Sequence, residues 1–155
     1  MTGVSPTRPS ELLTAVVTAF VRYRGRILLL RRSERVGSYR GCWAGVSGFV
    51  EEATAEAQVW RELNEETGLG PAQLHLVVAA PPLPVDDDAL GRHWLVHPFL
   101  FELMRQTHLR TDWEHDGWRW VRPEELAALP TVPRLAQALQ TCLELERQAM
   151  TEAQS

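Results

Sequence analysis

Three carboxylates crowd the stretch Arg61-Glu62-Leu63-Asn64-Glu65-Glu66-Thr67-Gly68-Leu69. On a helix of ~3.6 residues per turn, Glu62 and Glu66 stand one above the other, about 40° apart around the axis, and Glu65 lies about 60° to the other side of Glu62. Side chains three and four apart are neighbours on a helix surface, and like charges there repel. Stability does not ask for that repulsion. A hard divalent cation reverses it, because Mg²⁺ takes carboxylate oxygens together with water and substrate phosphate. The plainer alternative is a solvated acidic helix face, the usual fate of a charge run.

A helix is needed to hold these groups, and the flanking residues supply one. Thr54 suits the N-cap, and Gly68 suits the left-handed residue that ends a helix, so a helix is predicted over 54–67. Val59, Trp60 and Leu63 follow on the face beside Glu62 and are expected to pack on a core. Arg61 falls close to Glu65, where a guanidinium can pair with that carboxylate and hold its orientation.

The pattern resembles the Nudix box, in which a glycine and a glutamate precede R-E-U-x-E-E-x-G-U, U being a bulky apolar residue. Arg61 through Leu69 match every specified position of that second half. The first half is one residue short, counting from Gly48 to Arg61. The family's first glutamate falls on Ala53 or Thr54, depending on the end from which one counts. Glu51, Glu52 and Glu56 are the nearest substitutes. The resemblance implies metal ligands at Glu62, Glu65 and Glu66, with Arg61 orienting them. It also implies an additional glutamate just before the final strand, as base or extra ligand, which points to Glu114 ahead of Asp112 and Asp116.

At 155 residues, 45% of them apolar, the chain is long enough for one domain with a core of its own. The net charge of −4 offers no general attraction to nucleic-acid polymers or membranes. All sixteen basic residues are arginine, which excludes a lysine nucleophile or Schiff base and leaves phosphate contacts to guanidinium and backbone groups. Cys42 and Cys142 are too few for a disulfide framework and point to a reduced compartment. The early apolar run from Leu12 to Val21 has no basic leader and is too short to span a membrane. The expected setting is cytoplasmic.

Around the helix, the chain reads as strands over 14–23 and 27–32 joined by a turn at Arg24-Gly25-Arg26, then a glycine-rich strand over 43–49. Further strands are expected over 74–80, 92–104 and 117–122, with a loop over 81–91. The triplet Asp86-Asp87-Asp88 in that loop reads as solvated rather than as a second metal site. His93 and His97 share one strand face and make only a weak metal signal. Pro123 starts a short helix. Pro133 to Met150 forms a terminal amphipathic helix with Leu135, Leu139, Cys142, Leu143 and Leu145 inward. The boundaries drawn are an N-terminal arm over 1–11, one domain over 12–150 and a tail over 151–155.

Seven arginines lie between Arg22 and Arg40. Arg22, Arg24 and Arg26 read as a solvated hairpin edge. Arg31, Arg32, Arg35 and Arg40 lead toward the acidic helix and are the candidates for bidentate phosphate contacts. The glycines around Gly48 allow the backbone to approach a ligand closely. Trp43, Trp94 and Phe99 are candidates for stacking on a base.

The order of elements suggests an α/β or α+β domain with a mixed sheet. The resemblance sharpens this to a three-layer α/β/α sandwich. It implies Mg²⁺- or Mn²⁺-assisted hydrolysis of a diphosphate linkage in a nucleoside diphosphate derivative, with Glu62, Glu51, Glu52 and Glu114 as candidate bases and a homodimer as a possible assembly. Two alternatives share the fold: a non-catalytic nucleotide-sensing domain, and an isopentenyl-diphosphate isomerase. The latter uses a cysteine before the box, near the place where this chain has Ser47.

Overall fold

The first expected strand forms as β1 (Thr14–Tyr23) in the computed structural model, which describes residues 13–154. The N-terminal arm drawn over 1–11 lies outside the described residues. Successive strand residues point to opposite faces. Accordingly Val17, Ala19 and Val21 enter one core cluster and Phe20 the other. Arg24 and Gly25, at φ of 50° and 77°, turn the chain into β2 (Arg26–Arg32). Two consecutive left-handed residues are what a two-residue hairpin turn requires. Along β2, Leu28 and Leu30 join the first cluster, Ile27 and Leu29 the second.

The remaining strands are β3 (Trp43–Ala44), β4 (Val46–Phe49), β5 (Leu74–Ala79), β6 (Leu83–Asp87), β7 (Arg92–Leu103) and β8 (His115–Val121). They form one mixed sheet in the order β3-β2-β1-β7-β5, with β4 also on β1, β6 on β7 and β8 on β2. β1 runs parallel to β7 and antiparallel to β2 and β4. β2 pairs with β1 only near the hairpin, and β4 takes over the neighbouring stretch from Val16 to Ala19.

The helix α1 (Ala55–Thr67) covers one face, burying Val59 and Leu63 in the first cluster with Trp60 against it. The Thr54 side chain caps it by accepting from the Ala57 N–H, and Gly68 ends it at φ 78°. The helix α2 (Leu135–Ala153) covers the other face through Leu135, Leu139 and Cys142, with Leu143 and Leu145 packed beside them. The expected three-layer α/β/α sandwich is the fold.

Four readings change. The single strand expected over 43–49 is two, because the chain crosses at Gly45 from β2 to β1. A Cβ at Gly45 would lie 2.7 Å from the Ala19 carbonyl oxygen. The loop expected over 81–91 contains β6, whose Pro84 is tolerated because β6 is an edge strand, paired only with β7. Residues drawn as a C-terminal tail are helical to Ala153. Arg22, read as solvated, is part-buried and bonded to Glu102 and Glu146. Among the described residues no helix is long and apolar enough to cross a membrane.

Candidate active site

Glu62 and Glu66 do not form a solvated face. They are 9% and 1% exposed, on the side of α1 turned toward β4 and the loop before β8. Glu62 reaches this position because residue 48 is glycine: a Cβ there would lie 2.3 Å from the Glu62 carboxyl carbon. On its other side, the Gln58 Nε2 donates to Glu62 Oε1 at 2.9 Å.

Both oxygens of Glu66 are buried and have no hydrogen-bond partner among the described residues. The nearest cationic candidate, His115 Nε2, is 3.5 Å from Oε1, beyond ordinary hydrogen-bond range. The other ring nitrogen, Nδ1, lies 3.1 Å from Asp112 Oδ1. Burial pushes the Glu66 carboxyl well above the usual carboxylate range, and the carboxylates of Glu62, Glu114 and Asp112 push the same way. A buried carboxylate without a partner is costly, so the group is either protonated or matched to a cation.

The donor chemistry fits a hard divalent cation. Among the described residues no group of three His, Cys, Asp or Glu side chains is placed to hold a metal ion, so the expected set Glu62, Glu65 and Glu66 is not brought together as three ligands. Mg²⁺ does not need three, since it keeps several waters and is bound through one or two carboxylates plus substrate phosphates. Glu62 and Glu66, one helical turn apart and both buried, are carboxylates that could serve in that way. Glu65 is half exposed and engaged by Arg61, whose Nε donates to Glu65 Oε1 at 2.9 Å and whose Nη1 donates to Glu52 Oε2 at 3.0 Å. Glu51 stands 3.8 Å from the same guanidinium. The Glu51 and Glu52 side chains therefore face Arg61.

Glu62 opens onto a cleft of about 350 Å³, with Glu66 buried beside it on α1. Its polar end carries Glu62, Glu65, Arg61, Glu51, Arg32 and Glu114. Its apolar wall comes from alternating residues of neighbouring strands: Leu83 and Val85 of β6, Trp94 and Val96 of β7, and Val16 of β1. Phe49, 56% exposed, places its ring 6.3 Å from that of Trp94. Glu114 is part-buried. Burial raises its carboxyl above the usual range, Asp112 and Glu62 add to this, and Arg32 opposes it.

The structure brings Arg32 to the cleft and turns Arg31 away, since successive strand residues point to opposite faces and Arg32 shares the face of Leu28 and Leu30. Arg31 instead pairs with Asp116 at 2.7 Å on the surface, and Arg40 Nε donates to the Val36 carbonyl. Trp43 packs against the α2-side core, and its backbone exchanges hydrogen bonds with Pro130 and Val132. It thereby secures the segment whose Val132, Pro133 and Arg134 line the cleft. Phe99 is core. His93 lies 3.0 Å from Asp86, and Asp87 accepts from the Tyr39 hydroxyl, so two members of the acidic triplet are engaged locally.

Three cleft or support residues were not expected from sequence. Tyr39, at φ 53°, and Arg134, at φ 63°, occupy left-handed positions that no local motif announces. Gln58 is wholly buried beneath the loop before α1. A polar side chain among the apolar positions of the helix was its one available signal.

Comparison with known proteins bears on the family and the fold. The family model described as NUDIX domain matches residues 12–142. Among solved structures, the chain is similar to a MutT NUDIX hydrolase from Burkholderia pseudomallei, with 25% identity, TM-score 0.66, and coverage of 83% of this chain and 96% of that one. It is similar in fold to an Ap4A hydrolase from C. elegans in a binary complex, with 19% identity, TM-score 0.71, and coverage of 86% and 97%. A third fold relative is a bifunctional NMN adenylyltransferase/ADP ribose pyrophosphatase from Francisella tularensis complexed with AMP and a Mn ion. It shares 20% identity at TM-score 0.72, over 90% of this chain and 43% of that one. A search of curated proteins finds no match.

Proposed function

The chain belongs to the NUDIX family, and from that premise we propose that it hydrolyses a diphosphate linkage in a nucleoside diphosphate derivative, assisted by Mg²⁺ or Mn²⁺. The observation that carries this reading is Glu62 lining the cleft with Glu66 one helical turn on, buried beside it, both oxygens of Glu66 lacking a hydrogen-bond partner among the described residues. Glu62 and Glu66 would hold the cation, with Glu65 completing the set directly or through water. When bound, a divalent cation neutralises phosphate charge and makes water a better nucleophile.

The chain's own residues account for the rest. Arg32 reaches the cleft from the end of β2 and offers a planar donor fork to phosphate. Arg61 holds Glu65 and the loop residue Glu52, which fixes that side of the polar end. Glu114 is the proposed general base. Its part-buried carboxyl has a raised proton affinity, which suits a group that must accept a proton near neutral pH. Trp94 and Phe49 offer aromatic faces to the organic part of the substrate. Ser47, not a cysteine, lines the cleft, which weighs against the isomerase alternative.

The test is a screen of nucleoside triphosphates, dinucleoside polyphosphates, ADP-ribose and nucleotide sugars with Mg²⁺ and with Mn²⁺, scored for released phosphate, pyrophosphate or nucleoside monophosphate. Metal-dependent turnover that disappears in E62Q and E66Q is the expected result. Binding of one of these compounds with no turnover of any would identify a sensing domain instead.

A further inference from the structure

The loop before α1 lacks a glutamate at the place where the resemblance puts one, yet it is not free of the metal-site carboxylates. Gln58 spans the gap. Its Oε1 accepts from the main-chain N–H groups of Glu51 at 2.8 Å and Glu52 at 2.9 Å, and its Nε2 donates to Glu62 Oε1 at 2.9 Å. The side chain is 0% exposed. Gly48 closes the opposite side of Glu62, with no room even for a Cβ.

We propose that Gln58 is the positioning residue that ties the shortened loop to Glu62 and fixes this carboxylate for the divalent cation. The loop then acts on the site through two main-chain N–H groups, not through the Glu51 or Glu52 side chains. The chemistry requires an amide. Two N–H donors above need an acceptor, and the carboxylate below needs a donor; glutamine alone among side chains of this length supplies both without charge. A glutamate at 58 would accept from the loop but turn a second anion toward Glu62. A methionine would fill the volume and leave both loop N–H groups without their acceptor. Changing a group that orients a metal ligand typically costs about 10–100-fold in metal affinity.

This inference rests on Glu62 as a metal ligand, so its test reads metal binding directly. Mn²⁺ affinity is measured by titration calorimetry for the unmodified chain, Q58E and Q58M, with circular dichroism and melting in EDTA to follow folding. Both variants are expected to weaken Mn²⁺ binding by about 10–100-fold. The double variant E51A/E52A keeps both main-chain N–H groups and is expected to weaken it less than either. A folded Q58E or Q58M that melts lower but binds Mn²⁺ within twofold of the unmodified chain makes Gln58 a loop anchor only and overturns the proposal. Should both variants fail to fold, the unmodified chain still decides. On titration with Mg²⁺ the Gln58 side-chain amide and the Glu51 and Glu52 main-chain amides must shift together with one half-saturation point, and unmoved signals overturn it. An unmodified chain that binds neither ion defeats the metal reading itself, an outcome visible before any variant is made.

Discussion

Two groups of charges are withdrawn from water in this molecule, on opposite sides of the sheet, and they are treated differently. Arg22 of β1 donates through Nε to Glu102 of β7 and through both terminal nitrogens to Glu146 of α2, at 2.6–2.7 Å. Every charge there meets its opposite, and the pairing holds the Glu146 carboxyl below the usual range. Glu62 and Glu66 are buried more deeply, yet among the described residues Glu66 has no hydrogen-bond partner and its carboxyl is pushed up. The first arrangement closes on itself and joins sheet to helix. The second leaves Glu66 unmatched behind a cleft that Glu62 lines, as expected of groups reserved for a ligand.

The largest effects are expected where the open set is altered. E62Q and E66Q remove metal charge and should abolish turnover while leaving circular dichroism unchanged. In EDTA the E66Q protein should melt at or above the temperature of the unmodified chain, since the change removes an unpaired buried acid. Full activity in either variant would place the cation elsewhere. E114Q should lower kcat by roughly 10²–10⁴-fold with metal affinity retained if Glu114 is the base. If it is a ligand, the Mn²⁺ requirement should instead move to higher concentration.

The same contrast marks what could be read from sequence. The acidic helix was legible because its signals are local: the Thr54 cap, the Gly68 stop, and apolar Val59 and Leu63 at helical spacing beside the acids. The strands were legible from period-two apolar runs, as in Thr14–Tyr23. Partners far along the chain were not. Arg22 and Glu146 are separated by 124 positions, and nothing near Arg22 distinguishes it from the exposed Arg24. Arg31 and Arg32 must point to opposite faces of β2, but which face carries the cleft depends on where α1 packs. β6 was hidden by Pro84 within it and by Pro81 and Pro82 just before it, and an edge strand accepts such a proline. Gln58 is marked in the sequence only as a polar side chain among apolar helix positions, and its partners appear only when the loop above it is seen.

Breaking the closed set should cost stability and leave the site alone. R22M leaves Glu102 and Glu146 without their shared partner. The three side chains retain 19–35% exposure, so water recovers part of the loss. Destabilisation of about 1–3 kcal/mol is expected by thermal or denaturant unfolding, with Mn²⁺ affinity unchanged. A comparable loss of Mn²⁺ affinity would show that the two sets are coupled through β1, and the contrast drawn between them would fail.

The smallest effect is the pH dependence of stability in EDTA, and its sign separates the two sets. The Glu66 carboxyl is raised from an ordinary value of 4.5, so the folded protein holds its proton more tightly than the unfolded chain does. Stability from this group is fully present below 4.5 and is lost as pH rises from there through the folded value. Glu146 is lowered from 4.5 by Arg22, so its contribution is present above that value and is lost as pH falls through the folded one. Glu114 moves with Glu66, and His115, lowered by burial, opposes them on the acid side. Comparing the unmodified chain with E66Q isolates the Glu66 part. The stability advantage of E66Q in EDTA should grow as pH is raised above 4.5. Saturating Mn²⁺, which binds the ionised form, should erase or invert that advantage. Parallel pH–stability curves for the two proteins in EDTA would mean that Glu66 titrates alike folded and unfolded, and the open carboxylate would no longer differ from the closed ion pair in the respect argued here.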